Sequence, residues 1–222
     1  MKMKTFILNL PKRLDRRKSI EKEFHGKDLF ETEILYPIIH EVPRISHWLS
    51  FQQSVVKAKE QQLSCFLFCE DDHIFTHAFD ESKLVELINE VDAMEADLLL
   101  GGISWMESPL QINDRLFWVD KFNGFQFAVI FRRFYDRIID FNKQGDDIIT
   151  EIALSNLSKR IFVCYPFISI QKEFGYSDVT NINNQEGYVS SHFEDVEKKL
   201  DIQNKVRKFY LNIADRMNHN NV

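Results

Sequence analysis

Three adjacent carboxylates end an apolar run in the first half of the chain. The apolar residues 65–69 lead directly into Glu70, Asp71 and Asp72. Neighbouring negative charges at the tip of a buried strand repel each other unless a cation or hydrogen-bond donors compensate them. A divalent cation, Mg²⁺ or Mn²⁺, would do so, because it takes oxygen ligands and keeps waters or phosphate oxygens around it. Alternate side chains of an extended chain share a face, so Glu70 and Asp72 are the predicted metal ligands and Asp71 points away from them.

Two other interpretations of this segment stay open. Acidic residues also stabilise turns that lead into a helix, so the three carboxylates alone fit a plain helix start about equally well. Zinc is the second alternative, because Cys65, Cys69, His73 and His77 recur every four residues and are zinc-binding residue types. On a strand that spacing spreads them over roughly 40 Å, which disfavours a shared ion.

A basic segment follows the first apolar run of the chain. Lys12, Arg13, Arg16 and Arg17 lie within six residues of each other. The ordinary interpretation is a solvated helix face. The functional interpretation is that one or two of the arginines bind phosphate or neutralise the carboxylates, since guanidinium groups pair well with both.

The elements that must position these residues alternate between strand and helix over the first hundred residues. The predicted strands cover residues 5–10, 32–39, 65–69 and 97–102. The predicted helices cover 15–26 with Gly26 as its stop, 46–62 with Ser46 as N-cap, and 81–94. The apolar residues expected to face inward are Ile20, Phe24, Trp48, Leu49, Val55, Val56, Leu84, Leu87, Ile88 and Val91.

This alternation predicts an α/β fold with a mostly parallel sheet flanked by helices. Ligands of such sheets bind beyond the carboxyl ends of the strands. Asn9, the carboxylates 70–72 and the segment 101–105 all follow strands, so we expect a binding site at that edge.

The second half of the chain has a more mixed pattern. Residues 115–133 suggest two strands that need not be parallel, 134–142 and 146–157 suggest helices, and 160–170 suggest a strand region broken by Pro166. A helix starting at Ser191, with a capping box to Glu194, is predicted to pack on the domain. Its predicted apolar stripe is Phe193, Val196, Leu200, Phe209 and Ile213. We therefore expect a main domain over 1–190 and a helical extension over 191–222.

Composition limits the functional classes. The net charge of −6 and the pI of about 5.7 disfavour a broad nucleic-acid footprint, which needs positive charge. Three cysteines in apolar runs indicate buried thiols in a reducing compartment. The N-terminal apolar run is too short for a signal peptide, and no stretch reaches transmembrane length, so we expect a cytoplasmic protein. Lysines of the tail leave a peripheral association with the inner membrane face open, although interleaved acidic residues favour a solvated face.

An ordered set of motifs resembles glycosyltransferase family 25, the lipopolysaccharide-type glycosyltransferases with a GT-A fold. The resemblance spans roughly residues 5–180 and is carried by these segments: FILNLPKRLDRR, ISHWLSFQQSVVKA, CFLFCEDD, ADLLLGG, FNGFQFAVIFRRFYDRII and DDIITEIALSNLSKRIFVCYPFISIQKEFGYSDV. The chain departs from the family at Pro43-Arg44-Ile45, where the family usually has a Gly-Cys pair. Each motif is weak alone, and the order of the set makes the resemblance specific.

The resemblance implies transfer of a sugar, a hexose, from a UDP-sugar to a glycan or lipid-linked saccharide in lipopolysaccharide or surface polysaccharide biosynthesis, with inversion. It implies Mn²⁺ or Mg²⁺ at Glu70 and Asp72, and a general base at Asp146 or Asp147, which equally fit a helix cap. The implied donor contacts are Asn9, Leu10, Arg13, Arg16, Asp71 and Gly102. The implied acceptor or cleft residues are His47, Trp105, Gln171, Ser177 and Asp178.

Two other functional classes remain as alternatives. A metal-dependent nucleotidyltransferase or phosphohydrolase would use the same strand-tip carboxylates for chemistry at phosphorus. A non-catalytic module that binds glycans or nucleotides would keep the fold and not require a divalent ion. Ordinary packing is also an alternative for His47 and Trp105. A lone His is often a partly buried residue with satisfied hydrogen bonds, and a Trp is most often part of a core.

Overall fold

The computed structural model describes residues 2–141, 148–175 and 186–219, with side chains as far as Ile213. The strands are β1 (Met3–Leu8), β2 (Phe30–Leu35), β3 (Cys65–Glu70), β4 (His73–Phe75), β5 (Leu98–Leu100), β6 (Trp105–Glu107), β7 (Leu110–Asn113), β8 (Leu116–Trp118), β9 (Lys121–Asn123), β10 (Phe127–Phe131), β11 (Ile161–Cys164) and β12 (Ser169–Gln171). The helices are α1 (Leu14–Phe24), α2 (Pro43–Glu60), α3 (Glu81–Ala93), α4 (Arg132–Ile139), α5 (Thr150–Leu157) and α6 (Tyr188–His219).

The central sheet has eight strands in the order β2-β1-β3-β10-β5-β11-β8-β7. Strand β1 is parallel to both of its neighbours, and β5 is parallel to β11. Strand β10 runs antiparallel between β3 and β5, and β8 runs antiparallel to β11 and β7. The predicted α/β fold, a mostly parallel sheet flanked by helices and followed by a C-terminal helix, is confirmed. Two small antiparallel pairs, β12-β4 and β6-β9, stand beside the sheet.

Both faces of the sheet are covered, which explains why its inner strands β5, β10 and β11 are apolar at every position. In β3, Phe66 and Phe68 belong to the core cluster under α2, α4, α5 and α6. Leu67 and Cys69, which point the other way, belong to the cluster under α1 and α3. Packing on both faces fixes the backbone position at the end of β3, and therefore the position from which the carboxylate side chains extend.

The predicted helix faces are correct for α1 and α3 and partly wrong for α2. Helix α2 begins at Pro43, whose fixed φ suits a first helical position, so the prediction of Ser46 as N-cap is wrong. The Ser46 hydroxyl instead donates to the carbonyl of Ile38. Val56 was expected to face inward but is 37% exposed, because Val55 and Ala58 already take the buried face.

Helix α6 begins at Tyr188, so Ser191 lies inside its first turn and the predicted capping box with Glu194 is wrong. The first half of the predicted apolar stripe, from Phe193 to Leu200, is buried as expected. The second half is not, because Phe209 is 60% exposed on a side of the helix that faces away from the domain. None of the described helices is long and apolar enough to cross a membrane.

Candidate functional site

The candidate site lies at the carboxyl ends of β1 and β3. These strands are parallel neighbours, and their register sets Leu8 opposite Glu70. The residues after each strand therefore meet, as the sequence predicts. The Asn9 side chain is fully buried and its Nδ2 donates to Asp71 Oδ2 over 2.7 Å.

Arg16 supplies the positive charge that the adjacent carboxylates require. It projects from the first turn of α1, and its NH1 donates to Asp71 Oδ1 at 3.0 Å and to Asp72 Oδ2 at 3.1 Å. The side chain is 11% exposed, and its guanidinium lies 4.9 Å from the ring centroid of Phe174. Of the basic segment, Arg16 fits the functional interpretation, whereas Arg17 forms a surface pair with Glu21.

Asp71 and Asp72 differ in how completely their oxygens are bonded. Both oxygens of Asp71 accept a hydrogen bond, one from Arg16 and one from Asn9. Asp72 Oδ2 accepts from Arg16 and from Gln171 Nε2 at 2.8 Å, whereas Asp72 Oδ1 is buried and has no hydrogen-bond partner among the residues that the structure describes. Burial and then the charge of Glu70 raise the pKa of Asp72 to about 7 despite Arg16. We call Asn9, Arg16, Asp71, Asp72 and Gln171 the strand-tip cluster.

A histidine bridge adjoins the strand-tip cluster. His47, on α2, is 2.8 Å from Glu70 Oε1 through Nε2 and 2.8 Å from Thr150 Oγ1 through Nδ1. Burial lowers the pKa of His47, but the hydrogen bond with Glu70 and the charges of Glu70, Glu151 and Asp72 outweigh burial and raise it. Burial also raises the pKa of Glu151, in the first turn of α5. The bridge fixes Glu70 between α2 and α5.

The residues of this edge fit a hard divalent cation through two carboxylates. A cation would satisfy a buried carboxylate oxygen such as that of Asp72, which has no donor among the described side chains and backbone groups. Glu70 is close enough for its charge to raise the pKa of Asp72. Within the described residues, no three His, Cys, Asp or Glu side chains are already arranged as ligands, so the remaining ligands would be waters or phosphate oxygens.

Two glycines bring Gln171 to the cluster. A Cβ added to Gly102 would collide with the carbonyl oxygen of Ser169, and one added to Gly101 would be 2.8 Å from Ser169 Cβ. Strand β12 therefore closes against the end of β5 only because both residues lack side chains. Gln126 Nε2 donates to the carbonyl oxygen of Gly102 over 3.1 Å and holds this approach. The structure thus gives Gly102 a packing role behind the cluster.

His73 is a structural residue beneath the cluster. Its Nδ1 is 2.7 Å from Ser169 Oγ, which ties β4 to β12, and its ring packs against Phe75 and Phe127. Burial lowers the pKa of His73 to about 3, so the ring is neutral in the folded protein.

The remaining predicted site residues are placed differently. Leu10 lies in the turn between β1 and α1, where its carbonyl accepts from the Arg13 backbone, and the Arg13 carbonyl accepts from Asn9 Nδ2 at 3.3 Å. Trp105 is 49% exposed and lines an open groove of about 640 Å³ against α6. Among the described residues, the lining of that groove includes none of the strand-tip cluster. Four predictions fall outside the described residues: Asp146, Asp147, Ser177 and Asp178.

Sequence reasoning missed Thr150, Glu151, Gln126 and Phe174. Gln126 is the one with a visible signal, because it is a single polar residue between two phenylalanines in a strand pattern. Thr150 and Glu151 are inconspicuous helix-start residues, and only the packing of α5 beside α2 reveals their relation to His47.

No protein-family model matches the sequence, and no curated protein matches it significantly. The chain is similar to UDP-glucose pyrophosphorylase complexed with UDP-glucose, at 8% identity and a TM-score of 0.48, over 89% of this chain and 100% of that one. It is similar to HddC from Yersinia pseudotuberculosis, at 12% identity and 0.45, over 86% and 77%. It is also similar to the glycosyltransferase GlyE of Streptococcus pneumoniae TIGR4, at 14% and 0.44, over 73% and 45%. At these identities the likeness does not extend to the side chains of a site.

Proposed function

We propose that the chain is a glycosyltransferase of the family 25 type, which transfers a hexose from a UDP-sugar to a glycan hydroxyl with inversion. The observation that carries the proposal is the state of Asp72. Its carboxylate is held by Arg16 and Gln171 at the carboxyl ends of the parallel strands β1 and β3, yet one buried oxygen has no hydrogen-bond partner in the described part of the chain. A carboxylate with such an oxygen is suited to bind a divalent cation, and the cation would in turn bind the diphosphate of a nucleotide-sugar.

The chain's own residues would divide the work of donor binding. Asp72 and Glu70 would hold Mn²⁺ or Mg²⁺, which when bound supplies positive charge for the departing diphosphate. Arg16 and Asn9 would keep the strand-tip carboxylates oriented. The proposed donor side comprises Asn9, Leu10, Arg13, Arg16 and Asp71, with Gly102 supporting it from behind. His47 would fix Glu70 from the opposite side through its bond to Thr150.

Inversion needs a group that takes the proton of the acceptor hydroxyl as the new bond forms. Asp146 and Asp147 are the proposed bases, and Ser177 and Asp178 are proposed cleft residues. Trp105 is proposed to stack on a sugar of the acceptor, since an exposed indole face suits the apolar side of a pyranose. The proposed acceptor is a lipid-linked saccharide or a growing surface polysaccharide, and the proposed location is the cytoplasmic face of the membrane.

The test is transfer itself. The purified chain is incubated with UDP-glucose, UDP-galactose and UDP-N-acetylglucosamine, each with Mn²⁺ or EDTA and with a panel of oligosaccharide acceptors, and UDP release and glycan products are measured. Acceptor-dependent UDP release that needs Mn²⁺ and is lost in Asp72→Ala supports the proposal. The matched control is Asp136→Ala, whose side chain is 72% exposed on α4 and pairs with Lys59.

Other outcomes identify the alternatives. Formation of a UDP-sugar and pyrophosphate from UTP and a sugar 1-phosphate would identify a nucleotidyltransferase. Cleavage at phosphorus without a sugar acceptor would identify a phosphohydrolase. Nucleotide or glycan binding that ignores EDTA and survives Asp72→Ala would identify a non-catalytic module. Each of these results overturns the transferase proposal.

A further inference from the structure

An open groove of about 640 Å³ runs between strand β6 and helix α6. Residues within 104–109 line one wall, and α6 residues within 192–203 line the other. The volume lies in the range of small-molecule sites, roughly 300–1,000 Å³. Helix α6 packs both on β6 and on β12, the strand that carries Gln171 of the strand-tip cluster. The groove therefore lies beside the candidate site without sharing its described residues.

Trp105, in this groove, differs from the other two tryptophans of the chain. Trp48 is 3% exposed in the core, and the Trp118 indole nitrogen donates to the carbonyl of Lys159 over 2.6 Å. Trp105 is 49% exposed, and its indole N–H has no acceptor among the residues that the structure describes. It therefore offers a ligand both an apolar ring face and a hydrogen-bond donor.

The backbone that carries the Trp105 ring is held in place. Strand β6 pairs with β9, so that Trp105 lies opposite Asn123, and the Ser104 N–H donates to the Asn123 carbonyl over 2.8 Å. Gly124, with a φ of 101°, makes this approach possible, because a Cβ there would be 3.0 Å from the Ser104 nitrogen. A ring on a fixed backbone loses little conformational entropy when a ligand stacks on it.

The polar side chains of the groove suit a neutral ligand rich in hydroxyl groups. Within the described part of the chain, Ser104 and Gln203 make no side-chain hydrogen bond, so their hydroxyl and amide groups can each donate and accept. The formal charges of Asp195 and Lys199, on the α6 wall, cancel. An anionic ligand would meet no net positive charge there, and an acyl chain would cover the polar groups without bonding them, which costs free energy.

We propose that the groove binds a neutral oligosaccharide, with one pyranose stacked on Trp105 and its hydroxyls bonded to Ser104 and Gln203. A pyranose matches these groups, because one face of the ring presents C–H groups and its rim presents hydroxyls that donate and accept. The inference rests on the proposed function in that the oligosaccharide is the acceptor glycan. The groove binds sugar units other than the one that reacts, since it lies outside the strand-tip cluster.

The experiment is titration of the full chain with linear neutral oligosaccharides, in EDTA and without nucleotide. The panel runs from disaccharides to hexasaccharides of glucose, galactose and N-acetylglucosamine, and calorimetry and tryptophan fluorescence report binding. We expect binding that strengthens with chain length. Trp105→Ala should weaken it by at least about 10-fold and Gln203→Ala by about 5-fold. The matched control is Phe209→Ala, because Phe209 is 60% exposed on the same helix but does not line the groove.

Two further titrations separate this inference from the proposed function. Asp72→Asn should bind the oligosaccharides as the wild type does, and Trp105→Ala should keep Mn²⁺-dependent binding of UDP. Oligosaccharide binding by a chain that transfers no sugar would overturn the proposed function and support the groove assignment. Transfer to acceptors that is equally efficient in Trp105→Ala would do the reverse.

Three results overturn the inference directly. The first is that no member of the panel binds at millimolar concentrations. The second is undiminished binding by both Trp105→Ala and Gln203→Ala, once circular dichroism shows that the variants are folded. The third is stronger binding of a charged oligosaccharide, such as an oligogalacturonate, than of any neutral one. A dimer that Trp105→Ala dissociates would assign the groove to a second copy of the chain and also overturn it.

Discussion

Two buried aspartates of this protein, Asp97 and Asp72, stand at opposite edges of the same sheet and are bonded differently. Asp97 precedes β5, at its amino end, and is fully buried. Its oxygens accept from Arg137, from Ser158 at 2.6 Å and from Arg160 at 3.0 and 3.2 Å. Asp72 follows β3, at its carboxyl end. Within residues 2–141, 148–175 and 186–219, one of its oxygens has two donors and the other has none.

This difference indicates that Asp97 links secondary-structure elements, whereas Asp72 is available to bind a ligand. The donors of Asp97 come from α4 and from the segment between α5 and β11, and they use up both oxygens. Asp72 is held just as firmly on one side, but burial and the charge of Glu70 disfavour its ionised form and raise its pKa to about 7. A bound cation would stabilise the ionised form of Asp72. Asp97 does not need a cation, because arginines already neutralise its charge.

The largest expected effect is that of Arg16→Met. Arg16 bonds both Asp71 and Asp72, so the substitution leaves two buried carboxylates without their cation and should lower the free energy of unfolding by about 4 kcal/mol at pH 8. Urea denaturation measures this. The loss should shrink at pH 5, where Asp72 is protonated. Arg160→Met is the matched control with a smaller loss, because Asp97 keeps Arg137. Equal losses in the two variants would contradict the comparison.

Asp97→Ala should lower the free energy of unfolding by about 3 kcal/mol, because it removes charge-assisted bonds and leaves the buried Ser158 hydroxyl without an acceptor. It should not change nucleotide affinity in the folded protein. Denaturation and calorimetric titration check the two parts separately. A selective loss of nucleotide binding would place Asp97 in the site and contradict its purely structural role.

The buried His73 should make the free energy of unfolding decrease as the pH falls. Its folded pKa, about 3, lies below the ordinary value of 6.5, so the unfolded chain binds more protons between pH 6.5 and 3. This contribution to stability is complete above pH 6.5, and about 2 kcal/mol of it is lost at pH 5. Asp72 acts in the opposite direction, because its raised pKa makes stability fall as pH rises through 7.

The pH prediction is measured as the change in unfolding free energy between pH 7.5 and pH 5. In His73→Phe the acid-induced loss should be smaller than in the wild type by about 2 kcal/mol. In Asp72→Asn it should be larger than in the wild type. An unchanged pH profile in both variants would show that neither group titrates as its burial implies.

The smallest effect is expected for Thr150→Val. Thr150 is 2% exposed, and the variant loses the hydroxyl that orients His47, so stability should fall by about 1 kcal/mol. Thr5→Val is the matched control, since the fully buried Thr5 hydroxyl makes only a 3.2 Å bond to the Met3 carbonyl. Thermal melting at matched pH compares them. If Thr5→Val lost as much stability as Thr150→Val, the hydrogen bond between Thr150 and His47 would contribute no more than an ordinary buried hydroxyl.

The sequence predicted the sheet edge well because local patterns determine it. An unbroken apolar run identifies a strand buried on both faces, and β3 has this property from Phe66 to Cys69. The helical spacing of Leu84, Leu87, Ile88 and Val91 placed α3 correctly. Parallel strands then bring Asn9 and Asp71 together without further information.

The partners of the carboxylates could not be predicted, because they depend on contacts between distant parts of the chain. Arg16 meets Asp71 across 55 residues of sequence, and Gln171 meets Asp72 across 99. Which of four basic residues reaches the cluster is set by how α1 packs on the sheet. The predicted start of α2 at Ser46 was wrong because Pro43, three residues earlier, suits the first position of a helix and determines where α2 begins.

The most direct test of the central claim is calorimetric titration of UDP and UDP-glucose into the wild type, Asp72→Asn and Arg160→Met, with Mn²⁺ and with EDTA. We expect Mn²⁺-dependent binding to the wild type, weakened at least about 100-fold in Asp72→Asn, which loses a ligand charge, and unchanged in folded Arg160→Met. Binding that is equal with Mn²⁺ and EDTA, or that Asp72→Asn leaves intact, would contradict the assignment of Asp72 as the available carboxylate of the sheet.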